Sequence, residues 1–305
     1  MSKFIARRLL ELVGTMFVIV TVSFFLIRST PGSPFASEKE IPEEVLEQLN
    51  ARYGYDKPIY VQYLNYVKGL LRGDLGPSIK YPQRSVNEII AIGFPVTMLI
   101  ALIALVWALA IGIPAGILGA IRQNTIWDYS AMSAAMIGIS LPAFVLGPLL
   151  VFLFSITFWL LPPGGWGSWK HLVLPSITLG AIRAGYIARL TRGGMLEVVR
   201  ADYIRTARAK GLSERMVVWR HMLRGGLLPV VSYLGPAIAF MLVGSVVVEK
   251  IFNLPGIGPY FVDAAINRDL FLVMGVVVLE SALLLSMNLF VDVIYCVIDP
   301  RISYE

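Results

Sequence analysis

Six long apolar stretches alternate with shorter polar stretches along the 305-residue chain. A helix needs about 20 mostly apolar residues to cross a bilayer, and each stretch is at least that long. They cover residues 9–29, 94–120, 130–161, 171–191, 227–248 and 270–298. The pattern therefore predicts an all-α polytopic membrane protein with six transmembrane helices.

The first apolar stretch follows a short basic head that contains Lys3, Arg7 and Arg8. A cleaved signal peptide has a similar head, but its apolar region runs for about 7–15 residues before a small-residue cleavage site. Here the apolar run is longer and ends at Arg28. We therefore expect an anchor that is retained in the membrane.

The polar stretch 31–93 has eight acidic and seven basic residues, for a net charge of −1. Pro42 and the two glutamates after it predict a helix start, because proline suits the first turn and acids complement the helix dipole; Gly54 can end this helix. A second helix is predicted to start at Pro58 and to stop at Gly73, with an apolar face of Tyr60, Leu64, Val67 and Leu71. This stretch is expected to be a small helical domain outside the bilayer.

The polar stretch 189–226 has nine basic and three acidic residues, and its net charge of +6 equals that of the whole chain. The sequence predicts a helical hairpin: a helix over 195–210, a turn at Gly211, and a second helix capped by Ser213 with Glu214 in its first turn. Met216, Val217, Trp219 and Leu223 are predicted to form the apolar side of the second helix. Such a hairpin could be a docking element for a partner or a basic loop that only sets topology.

Positive loops favour the cytoplasmic side of a membrane. With six spans, the basic head, the basic stretch 189–226 and both termini fall on that side, and 31–93 falls outside.

Composition agrees with a membrane protein, since 57% of the residues are hydrophobic, only 15% are charged and the mean hydropathy is +0.72. These values exclude a disordered chain, a disulfide scaffold and an ordinary soluble enzyme. The positive charge is therefore interpreted as a topology signal, and no nucleic-acid partner is expected.

The residues of common catalytic and metal sites are missing from the sequence. None of the eight lysines follows a glycine, so there is no Walker A loop. The histidines, His171 and His221, are predicted on opposite sides of the membrane, and Cys296 is the single cysteine, so no paired zinc motif can form. A G-x-S-x-G nucleophile motif is also missing. We expect a non-catalytic subunit that binds no cofactor of its own.

The segment from Tyr203 to Gly211 resembles the signature of permease subunits of binding-protein-dependent ABC importers, in the form found in the peptide/nickel branch. The general signature is Glu-Ala-Ala, three residues, Gly, nine residues and Ile-x-Leu-Pro. Aligned on Gly211, Arg205-Thr206-Ala207 stand at Glu-Ala-Ala, and His221-Met222-Leu223-Arg224 stand at Ile-x-Leu-Pro. Gly211, Ala207 and Leu223 match, whereas the glutamate and the proline are replaced, as is typical of this branch.

The resemblance extends over the whole chain and is closest to the oligopeptide importers of this branch. It includes Phe4-Ile-x-Arg-Arg8, Pro31-Gly-Ser-Pro34, Gly73-Asp-Leu-Gly-Pro-Ser78, Gln123-Asn-Thr-x-Trp-Asp-Tyr129, Pro162-Pro-Gly-Gly-Trp166, Leu254-Pro-Gly-Ile-Gly258, Val291-Asp-Val-Ile-Tyr295 and Asp299-Pro-Arg301. Each string is weak alone, but their order and spacing together are specific.

The resemblance implies the type I ABC importer permease fold in a bacterial inner membrane. The implied partners are a second homologous permease, two cytoplasmic ATPases that bind ATP and magnesium, and a periplasmic peptide-binding protein. The chain would divide into 1–30 (head and first helix), 31–93 (extracytoplasmic domain) and 94–305 (permease core with the coupling loop 189–226). The residues implied to couple to the ATPase are Arg205, Thr206, Ala207, Arg208, Ala209, Lys210, Gly211, Leu212, Glu214, His221 and Leu223.

Polar residues within the apolar stretches are further functional candidates, because they are costly in a membrane. Arg183 and Glu280 are predicted at similar depth, where they would either pair or face a wet cavity separately; Asn288 and Asp292 suit packing or the inner mouth of the path. Alternative cargoes are dipeptides, nickel or glutathione. A different class, an ion-coupled secondary transporter, would need paired broken helices and no ATPase, and the basic hairpin argues against it. No group of residues supports a scaffold or an intramembrane enzyme.

Overall fold

Helices account for most of the computed structural model, which describes residues 2–30, 35 and 42–298; the side chains of 2–5 and 294–298 are not described. The helices are α1 (Ser2–Arg28), α2 (Glu43–Tyr53), α3 (Ile59–Leu70), α4 (Val86–Ile121), α5 (Ile126–Ser140), α6 (Ala143–Leu150), α7 (Lys170–Val199), α8 (Asp202–Ala209), α9 (Glu214–Met216), α10 (Leu223–Gly226), α11 (Leu228–Ile251), α12 (Ile257–Ile266) and α13 (Leu270–Ile298). Two π-helical segments, Val151–Thr157 and Val217–Met222, continue α6 and α9. The motifs Pro31-Gly-Ser-Pro34 and Asp299-Pro-Arg301 lie outside the described residues.

Within the described chain, five helices are long and apolar enough to cross a membrane, and the bent pair α5–α6 makes a sixth span if counted as one. The prediction of a helical polytopic protein is confirmed, whereas the orientation of its termini stays a prediction. The predicted span 130–161 is not one straight helix, because its two parts meet at 108°. Leu141 is extended there (φ −85°, ψ 115°), as expected for a residue that precedes a proline, and Pro142 has no N–H to continue the helix.

Two compact units make up the chain. Of the described residues, the first unit contains those up to Thr97 together with Pro255–Leu289, and the second contains Met98–Leu254 and the chain from Phe290 to Ile298. The predicted boundary at residue 93 falls inside α4, which begins at Val86 rather than at 94. The functional division of the chain stays a prediction.

In the first unit, α3 packs against α1 and α13 through a cluster that includes Phe24, Tyr66 and Met274. The helix starts after Pro42 and Pro58 and the left-handed cap at Gly54 (φ 71°) are confirmed. The predicted apolar face of α3 is wrong, since Tyr60, Leu64 and Leu71 are 65%, 60% and 84% exposed. The buried face carries Tyr63, Tyr66 and Leu70 instead, because these side chains meet the aromatic side of α1.

Asp269 connects two segments of the first unit that are far apart in sequence. Its buried carboxylate accepts hydrogen bonds from the Ser78 hydroxyl (2.5 Å) and from the backbone N–H groups of Ile79 (2.8 Å) and Lys80 (3.0 Å). Its other oxygen accepts the backbone N–H of Leu272 and so caps the start of α13. One side chain thus fixes the loop before α4 to the end of a long helix.

The second unit is held together by close approaches at small residues. A Cβ on Gly112 of α4 would lie 2.7 Å from the carbonyl oxygen of Ala184 in α7. A Cβ on Gly185 of α7 would lie 2.5 Å from the carbonyl oxygen of Ala135 in α5. Such distances are too short for a side chain, so glycine allows α7 to pack closely against both helices.

Candidate functional site

The basic stretch 189–226 forms a helical hairpin that differs from the prediction at its start. A single helix was expected over 195–210, but α7 ends at Val199, Ala201 is extended (ψ 145°), and α8 begins at Asp202. The β-branched residues Val198 and Val199 favour helix weakly, and an acid such as Asp202 suits the first turn of a new helix. α8 is therefore a separate element that can point away from the axis of α7.

The turn of the hairpin is built as the sequence predicts. Gly211 has a φ of +79° and donates its N–H to the Arg208 carbonyl (2.9 Å). Across the turn, the Arg208 guanidinium makes two hydrogen bonds to the Glu214 carboxylate, at 2.7 and 3.2 Å. α9 begins at Glu214 as predicted, although the Ser213 hydroxyl makes no cap hydrogen bond.

One side of the hairpin is buried. Ile204 and Ala207 of α8 pack with Val217 and Met222 and with Met195 of α7, and Leu212 and Leu223 cover the edge of this cluster. The predicted apolar side is therefore only partly right: Val217 and Leu223 pack inward, whereas Met216 and Trp219 are 44% and 65% exposed. A pattern with the α-helical period does not distinguish the buried from the exposed residues here, because Val217–Met222 in the second half of the hairpin forms a π-helix. The periodicity of a π-helix differs from 3.6 residues per turn.

The opposite side, here called the outer face, is exposed and mixes basic with apolar groups. It consists of Tyr203, Arg205, Thr206, Arg208, Ala209, Lys210, Gly211, Glu214, Met216 and Trp219. His221 lies half-buried at its edge. Of the predicted coupling residues, Ala207 and Leu223 thus belong to the buried side and most of the others to the outer face.

Large exposed aromatic and basic groups on a rigid support are typical of protein interfaces. The arrangement suits docking of a partner, but the coupling role of these residues stays a prediction.

A partly buried ion pair lies next to the base of the hairpin, and sequence reasoning missed it. Arg192 of α7 donates from Nε to Asp128 Oδ1 (2.7 Å) and from Nη2 to Oδ2 (2.8 Å). Asp128, at the start of α5, is 2% exposed, and its carboxylate also accepts the backbone N–H of Asn124. The sequence feature that could have identified this pair is Asp128 itself, an acidic residue near the start of an apolar span. A carboxylate at such a position needs a cationic partner.

Two glycines allow α7 and α10 to meet in direct contact. A Cβ on Gly194 would collide with the carbonyl oxygen of Gly226 and would lie 3.2 Å from the Pro229 ring. A Cβ on Gly226 would lie 2.6 Å from Met195 Sδ. The hairpin is therefore joined to α7 by backbone contact as well as by its apolar cluster.

The polar residues predicted within the spans have different surroundings. Arg183 of α7 donates to the Tyr233 hydroxyl (3.0 Å), and its guanidinium lies 5.1 Å from the centre of the Phe240 ring. On α13, Glu280 and Asp292 are half-buried and Asn288 is exposed. Pairing of Arg183 with Glu280 and the roles of Asn288 and Asp292 stay predictions.

Comparison with known proteins identifies the family and its fold. Residues 112–304 match the family described as binding-protein-dependent transport system inner membrane component, and residues 1–101 match the N-terminal region of such components. The oligopeptide transport system permease protein of Salmonella typhimurium is 48% identical over 306 residues, with 100% of both chains covered. The dipeptide transport system permease protein of Bacillus subtilis is 43% identical over 303 residues, covering 99% of this chain and 98% of its own.

A solved structure of the MetNI methionine ABC transporter in an inward-facing conformation has a similar fold. The TM-score is 0.59 at 17% identity, and the match covers 69% of this chain and 96% of that chain.

Proposed function

The chain belongs to the family of binding-protein-dependent transport system inner membrane components, and on that basis we propose that it is one permease subunit of an ATP-driven importer of short oligopeptides. Relatives named for oligopeptide transport, aligned over their full length, support this cargo. The chain would be a multi-pass protein of the bacterial plasma membrane, with both termini in the cytoplasm. It would form one half of the path across the membrane.

The energy for transport would come from partner subunits. The sequence has no Walker A loop, and we propose that two cytoplasmic ATPases bind ATP and magnesium while this chain performs no catalysis. A second, homologous permease would complete the path, and a periplasmic binding protein would deliver the peptide.

The two-sided hairpin is the observation that carries the proposal. Its inner side is fixed to α7 by the cluster of Met195 and Met222, and its outer face presents Trp219 and several basic groups. A docked ATPase that moves the outer face would therefore also move α7. A ligand shifts such an equilibrium only through different affinities for the two states, so closure of the ATPases on ATP would supply the driving force.

Copurification tests this proposal most directly. The tagged chain, isolated from membranes of its native host, is expected to bring down two ATPases and a second permease. Trp219→Glu should lose the ATPases and keep the permease, because it places a charge on an exposed anchor of the outer face. The matched control is Trp169→Glu, at a residue 69% exposed, which should keep both. Normal recovery of ATPases by Trp219→Glu would refute docking through the outer face, and a chain isolated alone would refute the assignment.

The small domain would meet the binding protein. Tyr60 and Leu64 of α3 are exposed, whereas Tyr66 packs on α1, and exposed apolar groups in an aqueous domain suit a partner. Tyr60→Glu and Leu64→Glu are expected to weaken binding-protein docking and uptake, while the exposed control Gln48→Glu does neither. Unchanged docking by both α3 variants would contradict this role.

A further inference from the structure

A cavity of about 190 Å³ opens at the carboxyl end of α1, within the first unit. Its polar lining consists of Arg28 and Thr30 from the end of α1, Tyr55 from the turn between α2 and α3, and Arg268 from the turn between α12 and α13. Two arginines and two residues with hydroxyl groups therefore line one small space. This combination favours an anion with several oxygen atoms.

Arg28 is held in place but keeps donors for a ligand. Its Nε donates to Gln62 Oε1 (3.0 Å), and its guanidinium carbon lies 4.4 Å from the centre of the Tyr55 ring. Among the described residues, its Nη groups have no hydrogen-bond acceptor. Burial raises the pKa of the Tyr55 hydroxyl to about 12, so this group remains neutral and can donate a hydrogen bond.

Arg268 occupies a backbone position that favours glycine. It has a φ of +57° after the last turn of α12, where Arg268 N–H bonds to the Ala265 carbonyl and Asp269 N–H to the Ala264 carbonyl. This is the hydrogen-bond pattern in which glycine is usual. A side chain there costs backbone strain, so glycine would be favoured at this position on backbone grounds alone.

The cavity lies where a bilayer would change from hydrocarbon to headgroups. α1 is apolar over Ala6–Arg28, and its outward residues, including Val22, Phe25 and Leu26, are exposed as on a lipid-facing helix. Ile27, Leu270 and Val273 form an apolar wall of the same cavity. A ligand that fits this arrangement has an anionic head and an apolar tail.

We propose that this cavity binds the phosphodiester headgroup of an anionic phospholipid, with Arg28 and Arg268 on the phosphate oxygens and the acyl chains along α1. A net anionic headgroup such as phosphatidylglycerol fits better than a zwitterionic one, whose own cation would lie among two arginines. By the predicted orientation, these arginines lie at the outer surface of the membrane, next to the lipid headgroups.

Lipid retention by the full-length chain tests the site. The chain is reconstituted in nanodiscs of phosphatidylglycerol and phosphatidylcholine, extracted into mild detergent, and its bound lipid is identified by native mass spectrometry. The wild type is expected to retain phosphatidylglycerol. Arg28→Gln and Arg268→Gly should reduce that retention about tenfold, as expected for loss of one charge-assisted contact. The control Arg84→Gln, at an exposed arginine elsewhere in the unit, should not reduce it.

Arg268→Gly separates ligand binding from folding, because it removes the charge and relieves the backbone strain. It should melt no lower than the wild type in lipid-free detergent while losing the lipid, and Arg268→Lys should keep part of the binding. Equal retention of lipid by wild type and Arg268→Gly would overturn the proposal. It would also be overturned if inorganic phosphate or a tripeptide, but not phosphatidylglycerol, raised the melting temperature of the wild type in an arginine-dependent way.

Discussion

Gly193 and Gly194 are neighbours on α7, and the same substitution is expected to have different effects on stability at the two positions. A Cβ on Gly193 meets nothing within 4 Å, whereas a Cβ on Gly194 collides with the carbonyl group of Gly226. The obstacle is backbone rather than the end of a flexible side chain, so α7 and α10 must separate. Gly193→Ala should therefore stabilise the chain and Gly194→Ala should destabilise it relative to that variant.

The two effects can be given magnitudes. Replacing glycine by alanine in a helix gains up to about 1 kcal/mol at either position, so this term cancels in the comparison. Overpacking costs about 1–3 kcal/mol and applies only at Gly194. The two variants should therefore differ by about 1–3 kcal/mol in the free energy of unfolding.

Thermal unfolding of both variants in the same detergent, followed by tryptophan fluorescence, measures the difference. Gly194→Ala is expected to melt several degrees below Gly193→Ala. In the reconstituted transporter it should also reduce transport per ATP hydrolysed, because the hairpin no longer packs tightly on α7. Equal melting temperatures would show that the backbone contact at Gly226 adapts freely, and the reasoning would then fail.

Three further substitutions test other parts of the structure. Asp128→Asn is expected to lower the free energy of unfolding by somewhat less than the about 3–5 kcal/mol lost when one partner of a fully buried ion pair is removed, because the Arg192 side chain keeps 27% exposure. An unchanged melting temperature would count against this expectation. Gly211→Val should abolish coupled uptake, whereas Gly211→Asn should retain it. Asparagine tolerates a φ of +79° far better than a β-branched residue does. Normal uptake by Gly211→Val would contradict this. Asp269→Ala should leave the N–H groups of the 78–80 segment without their acceptor and speed tryptic cleavage at Lys80, and an unaltered cleavage rate would exclude that role.

Features set by local sequence were predictable. Length and hydropathy predict the long helices, and residue chemistry predicts the helix starts after Pro42 and Pro58 and the turn at Gly211. These features depend on only a few neighbouring residues, so a sequence pattern contains the necessary information.

Features set by distant partners were not predictable. Both sides of α3 have apolar residues at helical spacing, and only contact with the aromatic residues of α1 decides that Tyr66 is buried and Leu64 is exposed. Asp128 and Arg192 are 64 residues apart, and nothing in either local sequence identifies the other. At the candidate site, the exposure of Trp219 depends on the π-helical winding of its segment, which has no simple sequence signature.

The break at Leu141–Pro142 gives the second unit an internal joint. α5 is attached to α7 through Asp128, whereas α6 also packs on the end of α11, where Gly147 lies against Phe252. Pro142 has no N–H and therefore donates no backbone hydrogen bond that a change of the angle between α5 and α6 would break. The first half of this span packs on α7, and the second half packs on both α7 and α11, which also pack on each other. A change of angle at the joint can therefore accommodate a rotation of α7 relative to α11.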